Sequence, residues 1–155
     1  MPDDLTFLMG KFPARLPGEL RYARNHMWGR EAGGRLRFGF SSYAVRLMQD
    51  VYFLDWCVDD GAVLALKQQI GNIETSKAVA DLFAPIAGTL LNFNRDLLKD
   101  PSAINADNHG AGWLFEMSGD ANGLLDAAAY QQFLAAGWEQ TQRLLKGQIN
   151  KGNDD

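Results

Sequence analysis

Gly71-Asn72-Ile73-Glu74-Thr75-Ser76-Lys77-Ala78-Val79-Ala80-Asp81-Leu82-Phe83-Ala84-Pro85-Ile86-Ala87-Gly88 reads as two strands meeting at a polar tip. The first strand ends in a short polar turn, and a second, apolar strand runs on into Pro85-x-x-Gly88, itself a turn signal. A lysine at a hairpin apex stands clear of the body while the flanking strands fix its direction. That is the geometry an acylating enzyme needs to address one lysine and no other. Turn lysines are commonplace solvated charges. Lys77, however, is the only basic residue between Lys67 and Arg95, an isolation suited to a uniquely addressed site.

Outward from this hairpin, the apolar or alternating runs Arg35 to Phe40, Val51 to Trp56, Val63 to Ile73, Leu82 to Phe83 and Gly88 to Asn92 are separated by Gly, Asn and Asp. Runs of this length, rich in Val, Ile, Phe and Tyr, predict strands. Two stretches break the rhythm. Ser41 to Met48 opens on serine caps and spaces its apolar residues for a short helix. Gly123 to Tyr130, continued by Phe133, Leu134, Trp138, Leu144 and Leu145, predicts a C-terminal helical region covering one face of a sheet. A chain of 155 residues, 46% apolar, fits one domain, here residues 20–146. Residues 1–19, punctuated by Pro13, Pro17 and Gly18, form an N-terminal extension expected as a docking arm, or a short helix followed by extended chain; residues 147–155 are expected as a flexible polar tail.

A net charge of −4 argues against general nucleic-acid binding, which needs a basic footprint. No run approaches the roughly 20 apolar residues of a membrane span, and Met1 to Gly10 lacks the basic start of a signal peptide. A cytoplasmic protein without membrane or nucleic-acid partners is expected. Arg15, Arg21, Arg24, Arg30, Arg35, Arg37 and Arg46 crowd the first third, whereas Asp50, Asp55, Asp59 and Asp60 follow without an arginine among them. Those aspartates lack the spacing of a calcium loop and read as a solvated face. Two histidines, His26 and His109, and one cysteine offer no transition-metal set. Cys57 is expected as a half-buried strand residue, His109 as a loop residue and the four tryptophans as packing.

Glu74 to Gly88 resembles the lipoylation motif of glycine cleavage H-proteins, Glu-Ser-Val-Lys-Ala-x-x-Asp-hydrophobic-x-Ser-Pro-hydrophobic-Ser-Gly. Other stretches follow in the family order: Tyr22-Ala23-Arg24-Asn25-His26-Met27-Trp28, Gly39-Phe40-Ser41-Ser42-Tyr43-Ala44, Leu97 to Pro101, Ile104-Asn105, Gly112-Trp113-Leu114, and Leu124-Leu125-Asp126 with Tyr130. The resemblance implies a mainly β fold with terminal helices, the lipoyl-domain hammerhead, a barrel-sandwich hybrid of two small antiparallel sheets. It implies lipoate amide-linked to Lys77, with Glu74, Thr75, Ser76, Ala78 and Asp81 framing the attachment. Such a protein is a carrier and not a catalyst. Its implied partners are a lipoate ligase or lipoyl transferase and dihydrolipoyl dehydrogenase.

The resemblance also implies an arm cavity around Arg24, Asn25, His26, Met27 and Arg46, and here the pattern departs. Met27 replaces the family's glutamate and Asn25 its frequent serine, while Asp81 keeps its acid. Arg24 and Arg46 have two directions open to them, towards the arm or out to water; His26 is open to a cavity role or to plain packing. Arginines facing the arm would favour anionic or neutral sulfur cargo over an ammonium. The first expectation is therefore a carrier of sulfur intermediates, similar to the lipoate-binding proteins that work with the heterodisulfide-reductase-like complex. The alternative is the glycine cleavage role, with glycine decarboxylase and aminomethyltransferase as partners, and a third is an unlipoylated structural or regulatory relative. Leu54-Asp55-Trp56-Cys57 also departs from the family, on a surface where a partner can dock.

Overall fold

The computed structural model describes residues 3–153. Its first element corrects the expectation for residues 1–19. β1 (Leu5–Met9) and β2 (Phe12–Leu16) pair antiparallel from Leu5↔Leu16 to Met9↔Phe12, a β-hairpin and not a free arm or helix. Gly10, at φ +65, supplies the left-handed residue its tight turn needs. Pro13 lies inside β2 opposite Leu8, which a two-stranded ribbon tolerates because each strand has a free edge. Phe7, Met9, Ala14 and Leu16 bury one face of the ribbon.

β3 (Arg21–Tyr22), β4 (Met27–Ala32) and β5 (Arg35–Phe40) follow as a meander. α1 (Ser42–Met48) begins where Ser41 Oγ accepts the Ala44 amide at 3.2 Å, the serine cap expected there. β6 (Val51–Trp56) matches its apolar run, but Val63 to Ile73 is two strands: β7 (Val63–Leu64) and β8 (Gln69–Thr75). Lys67, at φ 69, turns the chain between them. β9 (Val79–Phe83), β10 (Gly88–Phe93), two single-turn helices α2 (Asp96–Lys99) and α3 (Ala103–Ala106), and β11 (Phe115–Gly119) complete the middle. A 3-10 turn at Ala121–Gly123 precedes α4 (Ala127–Asn153), whose start Asp126 caps by accepting the Ala129 amide at 2.8 Å. The C-terminal helix thus begins later than Gly123 and enters the segment expected as a flexible tail. Side chains from Leu144 onward, and the residues after Asn153, lie outside those described.

Two sheets face each other. One has six strands in the order β3-β4-β5-β11-β10-β7, the other three in the order β6-β8-β9. Phe38, Phe40, Leu54, Ile70, Ile73, Leu82, Leu90 and Phe115 fill the space between them. A second core joins the ribbon to α1 and α4 through Phe7, Leu16, Tyr43, Tyr130 and Leu134. Ala127, Tyr130 and Leu134 recur at helical spacing on the inner face of α4. The observed sandwich bears out the expected mainly β fold with a terminal helix.

Cys57 corrects another expectation: it follows the end of β6, is exposed, and its Sγ lies 3.7 Å from the Gln69 carbonyl. Among the described residues no helix is long and apolar enough to cross a membrane, and no group of three or more His, Cys, Asp or Glu could hold a metal ion.

Candidate functional site

Lys77 is exposed at the centre of the three-residue loop Ser76-Lys77-Ala78 between β8 and β9. Three-residue hairpin loops ordinarily close through one residue in the left-handed region, commonly glycine. Here the left-handed non-glycine residues are His26, Gln49 and Lys67, so the loop closes by other means. Thr75 provides the closure. Its Oγ1 accepts the Lys77 amide at 3.1 Å and the Ala78 amide at 3.2 Å. Its hydroxyl donates to the Ala78 carbonyl at 3.3 Å, and its own amide donates to the same carbonyl at 2.9 Å. The Ser76 amide donates to the Asp50 carbonyl at 2.9 Å, tying the tip to the chain that leads into β6. None of the ion pairs among the described residues involves Lys77.

Cross-strand register decides what surrounds the lysine. Phe53, Glu74 and Val79 form one row across β6, β8 and β9; Asp55, Asn72 and Asp81 form the next row on the same outward face. The intervening row, Leu54, Ile73 and Ala80, faces the core side, where Leu54 and Ile73 are buried. Glu74, Ser76, Ala78 and Asp81 are all exposed, while Thr75 is half-buried. The sheet carrying Lys77 therefore presents carboxylates and apolar side chains to solvent, with Phe53 49% and Val79 69% exposed.

The five residues expected around an arm cavity are not all gathered. Met27 is only 1% exposed and belongs to the core between the sheets, so it lines no open cavity. Asn25 reaches β9: its Nδ2 donates to the Phe83 carbonyl at 3.0 Å, at the far end of the strand from Lys77. Arg24 is exposed and donates to the Gly123 carbonyl at 3.4 Å. Arg46 stacks over the Phe12 ring, 4.4 Å from its centroid, and lines a cleft of about 410 Å³ with Phe12, Val45 and Asp50.

His26 takes the packing role. It turns the chain at φ 70, and its ring lies against Tyr43, Tyr130 and Phe133. His26 Nδ1 is 2.8 Å from the Tyr130 hydroxyl, which is 2.9 Å from Ser41 Oγ. Burial pushes its pKa down to about 4, so the imidazole is neutral at pH 7. His109 is a turn residue, as expected, with its ring 6.1 Å from that of Trp28.

Sequence reasoning placed Lys77 at a tip but missed what holds the tip. Thr75 had a legible signal, a hydroxyl residue opening a short polar turn. Asp50, acting through its backbone carbonyl, had none.

Fold and site together define a class: small β proteins that present one lysine at the tip of a hairpin in one of two packed sheets. The chain belongs to the glycine cleavage H-protein family, whose model matches residues 20–137. It is 38% identical over 128 residues to a glycine cleavage system H protein of Chromobacterium violaceum, covering 79% of this chain and 99% of that protein. A glycine cleavage system H protein of Laribacter hongkongensis is 38% identical over 124 residues, covering 77% and 97%. The crystal structure of a glycine cleavage system H protein from Mycobacterium marinum superposes with a TM-score of 0.65 at 29% identity, covering 79% of this chain and 98% of that one. Proteins of this family carry lipoate covalently on a lysine; the chain is a lipoyl carrier and not an enzyme.

Proposed function

We propose that Lys77 bears the lipoyl group and that the loaded protein is a glycine cleavage carrier, passing an aminomethyl group between partner enzymes. The single observation that carries this reading is the exposed Lys77 on a loop closed by Thr75, inside the segment matched to the family. The residues present fit the group. The lysine has no salt bridge among the described residues to break, and its flanking strands hold the backbone that a ligase must read. Acylation removes its positive charge and leaves Glu74, Asp55 and Asp81 as the nearby charged members of that face. Attached there, lipoate would supply a disulfide able to accept a carbon group with its bonding electron pair on one sulfur, the other sulfur becoming a thiol. An aminomethyl cargo is cationic when protonated, and a face of carboxylates suits it electrostatically.

The expectation of sulfur cargo gains no support. It rested on Met27 and on two arginines facing the arm, whereas Met27 is core, Arg46 lies on Phe12 and Arg24 bonds Gly123. The named relatives are glycine cleavage system H proteins. Partners under this reading are glycine decarboxylase, aminomethyltransferase, dihydrolipoyl dehydrogenase and a lipoate ligase or lipoyl transferase. The test is incubation of lipoylated protein with glycine and glycine decarboxylase, followed by intact mass. Gain of one aminomethyl group on the arm is expected; an arm that stays unloaded while a known H protein loads in parallel overturns the glycine role.

A further inference from the structure

The chain between α1 and β6 is gripped from both sides. On one side stands Asn105 of α3, whose Nδ2 donates to the Gln49 carbonyl at 2.5 Å and whose Oδ1 accepts the Val51 amide at 2.9 Å. On the other, the Asp50 carbonyl accepts the Ser76 amide of the lysine loop. β6 is an edge strand, with β8 as its one neighbour. At Val51 a carboxamide, which carries the donor and acceptor of a peptide group, occupies the place of a missing strand.

The grip is needed because the strap is awkward. Gln49 sits at φ 59 and ψ −136, a conformation that an L side chain keeps only when its surroundings impose it. The register of β6 also shifts between Val51 and Phe53, so regular ladder bonds do not fix this end of the strand. We propose that Asn105 is a positioning residue for Lys77: its amide fixes the Gln49–Val51 strap, and the strap fixes the lysine loop through Ser76. Asn105 does not touch the lysine. The inference rests on Lys77 being the acylated residue and adds what aims it.

The experiment uses the full chain with Asn105→Ala and Asn105→Asp, and Asn94→Ala as a matched control. Asn94 is a carboxamide too, buried where Asn105 is half-buried, but it grips the Ala111 and Trp113 carbonyls. Amide hydrogen exchange is read by NMR at Ser76 and Val51 against Ile73 in mid-sheet. The rate of lipoylation is read with lipoate–protein ligase, lipoate and ATP. In Asn105→Ala, Ser76 protection should fall at least tenfold relative to Ile73, and acylation should slow at least threefold. Asn105→Asp, which keeps the acceptor for Val51 and loses the donor to Gln49, should fall between; it also carries the comparison if the alanine variant does not fold. Asn94→Ala should lower thermal stability without changing the Ser76-to-Ile73 ratio. A ratio in the Asn105 variants equal to wild type, or a lowered ratio with unchanged acylation, overturns the positioning role. Wild-type protein left unmodified at Lys77 overturns the attachment reading instead, and the exchange ratio still judges the grip.

Discussion

At the scale of single residues, Thr75 and His26 carry the clearest consequences. Thr75→Val keeps the shape of the side chain but removes the oxygen on which the Lys77 and Ala78 amides converge. A loss of about 1 kcal/mol is expected, together with slower acylation of Lys77 by a ligase; chemical denaturation and a mass-based time course check the two effects separately. For His26 the sign follows from its two states. Above the unfolded value of 6.5 the ring is neutral whether folded or not, and the fold keeps its full stability. As pH falls from 6.5 towards about 4 the unfolded chain takes up a proton that the buried ring resists, so stability drops. The loss by pH 4 is at most about 3 kcal/mol. Urea unfolding across this window should show the decline, and His26→Asn, which tolerates the positive φ and does not titrate, should flatten it. An unchanged slope in that variant would count against the assignment.

At the scale of elements, close approaches and the N-terminal ribbon decide the outcome. A Cβ added to Gly71 would lie 2.3 Å from the Asp55 carbonyl oxygen, backbone against backbone between β8 and β6. Gly71→Ala must force those strands apart, and a loss of about 2 kcal/mol or more is expected by thermal or urea unfolding. Leu16→Ala, in the ribbon's fully buried face, is expected to cost about 3 kcal/mol; a near-neutral result would mean that the ribbon does not pack on α1 and α4. Elements that announce themselves locally were legible. The serine-capped α1 and the runs forming β5 and β6 appear where their patterns put them. The ribbon was not, because Pro13 reads as punctuation although it sits on a free edge, and Gly10, which closes the turn, carries no flanking strand signal strong enough to stand out. The split of Val63 to Ile73 between two sheets was also hidden, since Val63, Leu64, Leu66, Ile70 and Ile73 read as one apolar stretch although only Leu64, Ile70 and Ile73 are buried.

Over the whole molecule, charge is divided. The arginines of the first third lie largely on the ribbon and the β3–β5 side, where Arg35 and Arg37 hold the buried Glu116 and Arg30 pairs with Glu19. The lysine-bearing sheet shows Asp55, Glu74 and Asp81. Sequence order exposed that asymmetry, but not which arginines face the arm, because Arg46 finds Phe12 only when the ribbon folds back over α1. The hairpin apex was legible from Glu74 to Gly88 alone, whereas its support from Asp50 and Asn105 depends on segments that meet only in the tertiary fold. The central claim is that one lysine of this chain, Lys77, is the residue that receives lipoate. Its most direct test is peptide mapping by tandem mass spectrometry after co-expression with a lipoate ligase, on wild type and Lys77→Arg. The account predicts one lipoyl group in wild type, on the peptide holding Lys77, and none in the variant; a lipoyl group on any other lysine, or one retained in Lys77→Arg, would contradict it.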